Sequence, residues 1–251
     1  MLLSTPALVL HTTEYSETSV IAKVFTRQLG VRSYILKGVR KGGSRTKRNL
    51  LQPLSYLDMV VYVNPKTTLN YVKELAPHQE SPQALDGNEA VRNAVVFFMT
   101  ELLYKTLREE EPDQELFDYI VDALAQLQQP LPAMHAQMPL LFLLRLTRYL
   151  GLWPRDNYSP REPLFDLQEG CFRSAGENTI DAATSALLHE YMQAAGQGSP
   201  CPTATLAQRT ALMNRLIEYL QLLLGLPFHD SLGCDLRLLS QDPFLVLGEI
   251  P

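Results

Sequence analysis

Residues 19–36 read SVIAKVFTRQLGVRSYIL, and the prediction of the fold starts from them. Its first part, residues 19–25, is rich in β-branched side chains, which favour strands. Residues 26–30 predict a turn, because Gly30 can adopt the positive φ that tight turns require. Residues 31–36 are a second strand candidate. The stretch therefore predicts two consecutive strands joined by a turn.

Three further strand signals lie around this pair. They are the apolar run at 7–10, the long run at 56–63 before Asn64-Pro65, and residues 70–75. Five short strands within residues 1–80 favour a closed sheet over an open one, because closure leaves no unpaired edge. We expect a five-stranded OB-fold β-barrel, with an SH3-like barrel as the main alternative.

The remaining chain is predicted to be helical. A polar segment, residues 77–87, is the expected linker, and beyond it the apolar spacing changes from the strand period to the helix period. This spacing predicts helices over residues 88–108, 115–127, 139–150, 181–195 and 205–224. Gly151 is expected to end the third of them. The expected fold is α+β and multidomain, with an OB-fold domain over residues 1–80 and an α-helical bundle domain over residues 81–251.

The charge of the chain is divided unevenly. Its 251 residues carry a formal net charge of −5, which by itself argues against nucleic-acid binding. Residues 1–80, however, contain 11 Lys and Arg against 5 Asp and Glu, a balance of +6. Residues 81–251 contain 11 against 22, a balance of −11. We expect the basic barrel to contact nucleic acid and the acidic helices to contact proteins.

A basic segment lies between the third and fourth predicted strands. Residues 37–48 read KGVRKGGSRTKR and hold six cations, three glycines and no carboxylate. Arginine forks bind phosphate oxygens in pairs, and glycines let the chain follow an irregular backbone. We expect nucleic-acid binding here, with a solvated loop that only aids solubility as the alternative. If about six phosphates on a single strand are neutralised, log K falls with log salt at a slope of about −4.

The predicted interface extends over the barrel. The predicted binding residues are Lys37, Arg40, Lys41, Arg45, Lys47, Arg48, Arg27, Arg32 and Tyr34. Candidate base-stacking platforms are Tyr34, Tyr56, Tyr62 and Tyr71, and the alternative for each is ordinary packing in the barrel. The sequence shows no base-reading pattern, so we expect binding to follow backbone charge with little sequence selectivity.

The usual enzyme and metal signatures are absent. Cys171, Cys201 and Cys234 form no CxxC pair, the five histidines form no HxxxH pair, and the glycine-rich phosphate and nucleophile motifs do not occur. We therefore predict no catalytic residue, no metal and no cofactor. The first residues lack a signal-peptide pattern, and the most apolar stretch is interrupted by Arg145 and Arg148. A soluble, cytoplasmic protein without membrane contact is expected.

Four segments carry a resemblance to a known family. They are residues 9–30 with FTRQLG, residues 37–53 with KGVRK and LQP, residues 144–154, which read LRLTRYLGLWP, and residues 215–236 with SLGCDL. The ordered set resembles the bacterial RecO family of recombination mediators and DNA repair proteins. The resemblance implies an N-terminal OB domain, a C-terminal helical domain and no covalent catalysis. It also implies binding of single- and double-stranded DNA, annealing of complementary strands, and action with RecR and the single-stranded-DNA-binding protein in loading RecA. A nucleoid-associated location goes with that role.

Many members of that family carry a four-cysteine zinc motif after the segment similar to residues 148–152. Here residues 154–159 read PRDNYS, and only Cys171 and Cys201 occur before Cys234. One sulfur per site cannot complete a tetrahedral zinc site. We predict a degenerate, zinc-free motif region over residues 154–202, in which ordinary packing holds residues 154–176.

The resemblance further implies that the helical domain docks the acidic, hydrophobic tail of the single-stranded-DNA-binding protein. The candidate cations for that contact are Lys105, Arg108, Arg145 and Arg148. The alternative is that Arg145 and Arg148 lie on the side of their helix that faces solvent or the other domain, at the edge of the core, and bind no partner. Two other functions stay open. One is an OB-fold RNA-binding factor, which would share the basic segment, and the other is a hydrolase around His229-Asp230-Ser231.

Overall fold

The computed structural model describes residues 1–39, 49–64, 67, 69–80, 90–107, 111–129, 132–197 and 199–225, with the backbone alone at 132 and 133. Contacts divide the chain into two compact units, Met1–Pro130 and Leu131–Pro251. Within the described residues, the first unit holds a barrel and two helices, and the second holds three helices and a small hairpin. The boundary between the units therefore lies after the two helices that follow the barrel. The domain boundary expected after residue 80 stays a prediction.

All five predicted strands form, and they close into a barrel. They are β1 (Leu2–Glu14), β2 (Val20–Thr26), β3 (Gly30–Leu36), β4 (Tyr56–Tyr62) and β5 (Leu69–Pro77). Their order around the barrel is β1-β2-β3-β5-β4, with β4 paired back onto β1. β3 and β5 run parallel, and the other neighbours run antiparallel. This is the strand order of an OB fold, so the predicted OB barrel is confirmed over the SH3-like alternative.

β1 is much longer than the predicted run at 7–10, because it pairs on both sides. Its first residue, Leu2, lies opposite Tyr62 of β4, whereas its last residue, Glu14, lies opposite Val20 of β2. The exposed residues at the end of β1 break the apolar pattern that marks a strand in the sequence. This double pairing closes the sheet.

The barrel interior is filled by inward side chains from its strands. Its buried members include Ala7, Val9, Ala22, Val24, Tyr34, Leu36, Leu57, Met59 and Val61, with Val72 and Leu75 of β5 packed against them. The predicted turn between β2 and β3 is confirmed. Gly30 has a φ of 67°, and Thr26 Oγ1 accepts the Leu29 N–H at 3.0 Å.

Two helices follow the barrel in the first unit, α1 (Ala90–Thr106) and α2 (Gln114–Leu127). Asp113 caps α2, because its carboxylate accepts the Leu116 N–H at 2.9 Å. Phe117 of α2 packs against Phe25 of β2, with ring centroids 5.5 Å apart. Apolar contact of this kind joins α2 to the outside of the barrel.

The second unit contains α3 (Pro132–Tyr149), α4 (Ala182–Gln197) and α5 (Leu206–Leu224). α3 starts earlier than predicted, with Pro139 inside it. Proline usually marks a helix start because it lacks an N–H, but the buried neighbours Met138 and Leu140 hold this one within the helix. The predicted end at Gly151 is confirmed by its φ of 70°. No helix among the described residues has the length and apolarity needed to cross a membrane.

A short hairpin, β6 (Leu164–Asp166) and β7 (Cys171–Arg173), lies between α3 and α4 along the chain. The Asn157 side chain holds β7, because Nδ2 donates to Phe172 O at 2.8 Å and Oδ1 accepts the Phe172 N–H at 2.9 Å. Asp166 Oδ1 holds the turn by accepting the N–H groups of Gln168 and Glu169 at 2.9 and 3.0 Å. The prediction of ordinary packing missed these hydrogen bonds.

The hairpin does not fit a zinc ion. Cys171 is its one cysteine, and the Asn157 amide is already bonded to the backbone of Phe172. Across the described part of the chain, no group of three or more His, Cys, Asp or Glu is placed to hold a metal. Side-chain hydrogen bonds hold this segment where a structural zinc site would need four ligands.

Candidate nucleic-acid interface

The basic segment leaves the barrel beside the β1–β2 turn. Glu14 lies opposite Val20, and Val20 lies opposite Leu36, so the end of β1, the start of β2 and the end of β3 are adjacent. Ile35 pairs with Tyr71, which adds the start of β5. Val61 of β4 pairs with Val72 of β5, so Tyr62 lies beside Tyr71. We call this region, residues 14–20, 35–39, 62 and 71, the loop end of the barrel. OB folds bind oligonucleotides with the loops around such an end.

Lys37 is exposed at the loop end. Its Nζ lies 4.7 Å from the centroid of the Tyr71 ring, which is a cation–π contact. The chain is anchored on both sides of residues 40–48, because Val39 and Leu51 are both buried in the barrel core. The described residues on either side of residues 40–48 therefore lie at the barrel. Its other cations, Arg40, Lys41, Arg45, Lys47 and Arg48, lie outside the described residues, and their contacts stay a prediction.

Arg27 and Arg32 do not lie with Lys37. They flank the β2–β3 turn, at the opposite end of those strands from the loop end. Arg27 Nε and Nη2 donate to the two carboxylate oxygens of Asp118, each at 2.8 Å. These hydrogen bonds and the opposite charge raise the pKa of Arg27 and lower the pKa of Asp118. Arg32 Nε donates to Leu29 O at 3.1 Å. Arg27 and Arg32 therefore lie away from the loop end, and their contact with DNA stays a prediction.

The four candidate tyrosines divide into two pairs. Tyr34 is 0% exposed and Tyr56 is buried, packing against Phe117 at a centroid distance of 6.0 Å. The prediction for Tyr34 is wrong, because a ring inside the core cannot stack on a base. Its hydroxyl has no hydrogen-bond partner among the described residues, and burial raises its pKa to about 12. Tyr62 and Tyr71, by contrast, are 47% and 44% exposed at the loop end.

The candidate partner-binding cations lie in both units. Lys105 of α1 pairs with Glu101 at 2.8 Å. Arg145 is half-buried on α3, and Arg148 is exposed at the end of the same helix. Arg108 lies outside the described residues, as does the sequence at 229–231 considered for hydrolysis. Partner binding by these cations stays a prediction.

Arg209 of α5 is a cation that the sequence did not single out. Its Nη1 donates to Ala204 O at 2.6 Å, and Arg145 Nε donates to Ala195 O at 3.3 Å. Neither guanidinium has a carboxylate partner among the described residues. Both lie near Cys201, where burial raises the pKa of the thiol and the two positive charges oppose that rise. Arg209 also borders an apolar groove between α3 and α5, lined by Ala136, Pro139, Leu140, Leu206, Thr210 and Met213.

Arg145 and Arg209 both come near Cys201 only through tertiary structure. Arg209 follows the start of α5 in a stretch of ordinary amphipathic sequence. Its approach to α3 is set by how the chain from α4 to α5 folds back. Helix periodicity carries no signal for such a contact, so the sequence could nominate only Arg145 and Arg148.

A closed OB barrel followed by a helical part, with a basic segment that begins at the loop end, defines the class of OB-fold binding proteins. Comparison with known families is more specific. The model described as Recombination protein O N terminal matches residues 1–80, and that described as Recombination protein O C terminal matches residues 88–232. The chain therefore belongs to the recombination protein O (RecO) family, and the resemblance seen in the sequence is confirmed.

Curated relatives agree with this assignment. The DNA repair protein RecO of Phocaeicola vulgatus is 31% identical over 177 residues, which cover 69% of this chain and 71% of the relative. The DNA repair protein RecO of Christiangramia forsetii is 32% identical, covering 76% of this chain and 80% of the relative. That of Azobacteroides pseudotrichonymphae is 24% identical, but covers 90% and 93% of the two chains.

Proposed function

We propose that this protein is a DNA repair and recombination mediator that binds single- and double-stranded DNA at the loop end and anneals complementary strands. The observation that carries the proposal is the position of the residues with which the basic segment begins. Its first cation, Lys37, is exposed beside Tyr71 at the end of the barrel where OB folds bind oligonucleotides. Membership of the RecO family supports the same role.

Annealing follows from charge rather than from covalent chemistry. Complementary strands repel each other through their phosphates, and cations that replace the counterions reduce this repulsion. The six cations of residues 37–48 have no carboxylate among them to compete for the phosphates. Because such contacts are made to the backbone, the base edges stay free to pair. The reaction therefore needs no nucleotide, cofactor or catalytic residue.

The acidic part of the chain supports DNA binding by the barrel and protein binding by the helices. Residues 81–251 carry a balance of −11, whereas residues 1–80 carry +6. An acidic surface repels phosphates, so DNA is directed to the barrel. The helices are thereby left for contacts with proteins.

The second unit is the proposed docking place for the acidic, apolar tail of the single-stranded-DNA-binding protein. Arg145 and Arg209 supply two guanidinium groups without carboxylate partners among the described residues, and the groove beside Arg209 supplies apolar surface. Carboxylates of the tail would pair with the arginines, and its apolar side chains would enter the groove. Action with RecR and the loading of RecA complete the proposal and rest on the family.

Annealing of complementary strands coated with the single-stranded-DNA-binding protein tests the proposal. We expect acceleration without nucleotide, and its loss when glutamine replaces Arg40, Lys41, Arg45, Lys47 and Arg48. The double variant R145Q/R209Q should lose acceleration on coated strands and keep it on bare strands. The matched control is R155Q/R161Q, which removes two exposed cations of the second unit.

Two results would contradict the proposal. One is undiminished annealing by the variant without the segment's cations. The other is tighter binding to RNA than to DNA of the same length, which would favour an OB-fold RNA-binding factor.

A further inference from the structure

An exposed strip of apolar and aromatic side chains crosses the loop end. Leu2, Tyr62 and Tyr71 are 46%, 47% and 44% exposed. Leu2 of β1 lies directly opposite Tyr62 of β4. The β4–β5 ladder runs to Val61 opposite Val72, so Tyr62 and Tyr71, one residue further on each strand, are neighbours on the outer face. We call Leu2, Tyr62, Tyr71 and Lys37 the aromatic strip.

The barrel does not need these rings for its own packing. Beneath the strip, Val61 is 0% exposed and Asn70 is 4% exposed, so the core is closed without the two tyrosines. Tyr34 shows how the same residue type behaves when it serves the core, since it is fully buried. Large exposed aromatic groups grouped on one face indicate a contact surface for a ligand.

Lys37 gives the strip its charge. Its ammonium group lies over one face of the Tyr71 ring, 4.7 Å from the centroid, which leaves the opposite face for a flat ligand. A nucleobase is such a ligand, and its phosphate would find the ammonium group close by. Base–aromatic stacking combined with a lysine for the backbone is a common mode of single-strand binding by OB folds.

We propose that Tyr62 and Tyr71 are a stacking platform for unpaired bases, which strengthens the binding of single strands at this end of the barrel and leaves duplex binding unchanged. The inference rests on the proposed DNA-binding function and adds the chemistry that separates one form of DNA from the other. Bases in a duplex are stacked on each other and cannot reach the rings. Cations of the basic segment bind the phosphates of either form, whereas the strip binds only a strand whose bases are free.

Binding to two labelled probes tests this inference. They are an oligothymidylate single strand and a duplex hairpin with the same number of phosphates. We expect Y62L/Y71L to weaken single-strand binding by about 20-fold or more, from about 5-fold or more for each stack lost. Its affinity for the duplex should equal that of the original protein. Y62F/Y71F keeps the rings and should keep single-strand affinity.

Phe97→Leu is the matched control. Phe97 is 44% exposed, like Tyr71, but it lies on helix α1 and not at the loop end. Its replacement should leave binding of both probes unchanged. Because Phe97, Tyr62 and Tyr71 are exposed, all variants should unfold at the same temperature as the original protein.

Three outcomes would overturn the inference. They are unchanged single-strand affinity of Y62L/Y71L, an equal loss on both probes, and an equal loss for Y62F/Y71F. These outcomes differ from failure of the proposed function, in which the original protein binds neither probe or the basic segment makes no difference to binding.

Discussion

The barrel of the first unit and the hairpin of the second are both β-structures, but they use polar side chains differently. Five strands satisfy each other's backbone groups by closing, so Lys37 and Tyr71 remain at the surface. The hairpin has two strands of three residues each and cannot close. Asn157 and Asp166 therefore bond to its backbone.

This difference shows when polar residues beside a sheet indicate binding. Where a sheet is complete, its surface charges are available to a ligand. Where a sheet is too small, the same residue types are used to hold the chain. We therefore expect changes at the loop end to alter binding without altering stability, and changes in the hairpin to do the reverse.

The largest change that we predict is the loss of DNA affinity when the basic segment is neutralised. With glutamine at Arg40, Lys41, Arg45, Lys47 and Arg48, single-strand affinity at low salt should fall by at least about 100-fold. The slope of log K against log salt should flatten from about −4 to about −1, because Lys37 is the one cation of the basic segment that remains. Fluorescence anisotropy over a salt series measures both.

The free energy of unfolding of that variant should not change, and urea denaturation checks this. The control R155Q/R161Q should keep both affinity and slope. A large loss of stability in the neutralised variant would contradict this expectation, since the segment would then stabilise the barrel as Asn157 stabilises the hairpin.

The second effect is on the hairpin. Asn157→Ala removes two hydrogen bonds to Phe172 and should lower the free energy of unfolding by about 1–3 kcal/mol. DNA affinity should stay the same. Asn178 is the matched control, because its amide donates to Gln168 Oε1 at an exposed position, and Asn178→Ala should cost less than about 0.5 kcal/mol.

Chelation gives an independent measurement on the same segment. We expect neither a chelator nor added zinc to change the unfolding midpoint of the original protein, because side-chain hydrogen bonds hold the hairpin. Bound zinc at one ion per chain in chelator-washed protein would contradict this expectation.

The sequence predicted the elements better than their surroundings. Strands and helices follow from periodicity, and all the predicted ones form, but the inside and outside of β3 could not be told apart. Ile35 and Leu36 are neighbours on opposite faces of the strand, and both are buried. Apolar residues on both faces erase the alternation that would have placed Tyr34 in the core.

The candidate site was only partly predictable for a related reason. Charge density marked the basic segment, because it is a property of neighbouring residues. The pairing of Arg27 with Asp118 joins residues 91 apart in sequence, and the approach of Arg209 to Arg145 depends on the packing of two helices. The hairpin was missed because three residues are too few for a strand period.

A smaller effect is expected inside the barrel. Tyr34→Phe removes a buried hydroxyl that has no partner among the described residues, and should raise the free energy of unfolding by about 1 kcal/mol. DNA affinity should stay the same, because the ring is enclosed. A fall in affinity would restore Tyr34 as a binding residue. Urea denaturation and anisotropy measure the two quantities.

The benefit of Tyr34→Phe should depend on pH. Burial raises the pKa of Tyr34 from 10.0 to about 12, so the folded state holds this proton more tightly than the unfolded state does. The contribution of this tightly held proton to the stability of the original protein is complete below pH 10 and is lost as the pH rises towards about 12. The difference between the two proteins should therefore grow over that range, as alkaline denaturation would show.

The smallest effect concerns Arg27. Asp118→Asn keeps the size of the side chain and removes its charge. Both partners are partly exposed, so water and salt weaken their attraction. We expect a loss of stability smaller than the gain from Tyr34→Phe, and its disappearance in high salt. Thermal unfolding at two salt concentrations measures it.

Asp118→Asn should also change how stability depends on pH, but not the affinity for DNA. Because Arg27 lowers the pKa of Asp118, the contribution of the pair is present above the unfolded-state pKa and lost as the pH falls through the folded-state pKa. The variant and the original protein should therefore converge in acid. The freed Arg27 lies at the other end of β2 from Lys37, so affinity for a short single strand should not rise. A marked rise would show that the DNA path runs from the loop end to the β2–β3 turn, and that Asp118 keeps Arg27 from binding phosphate in the original protein.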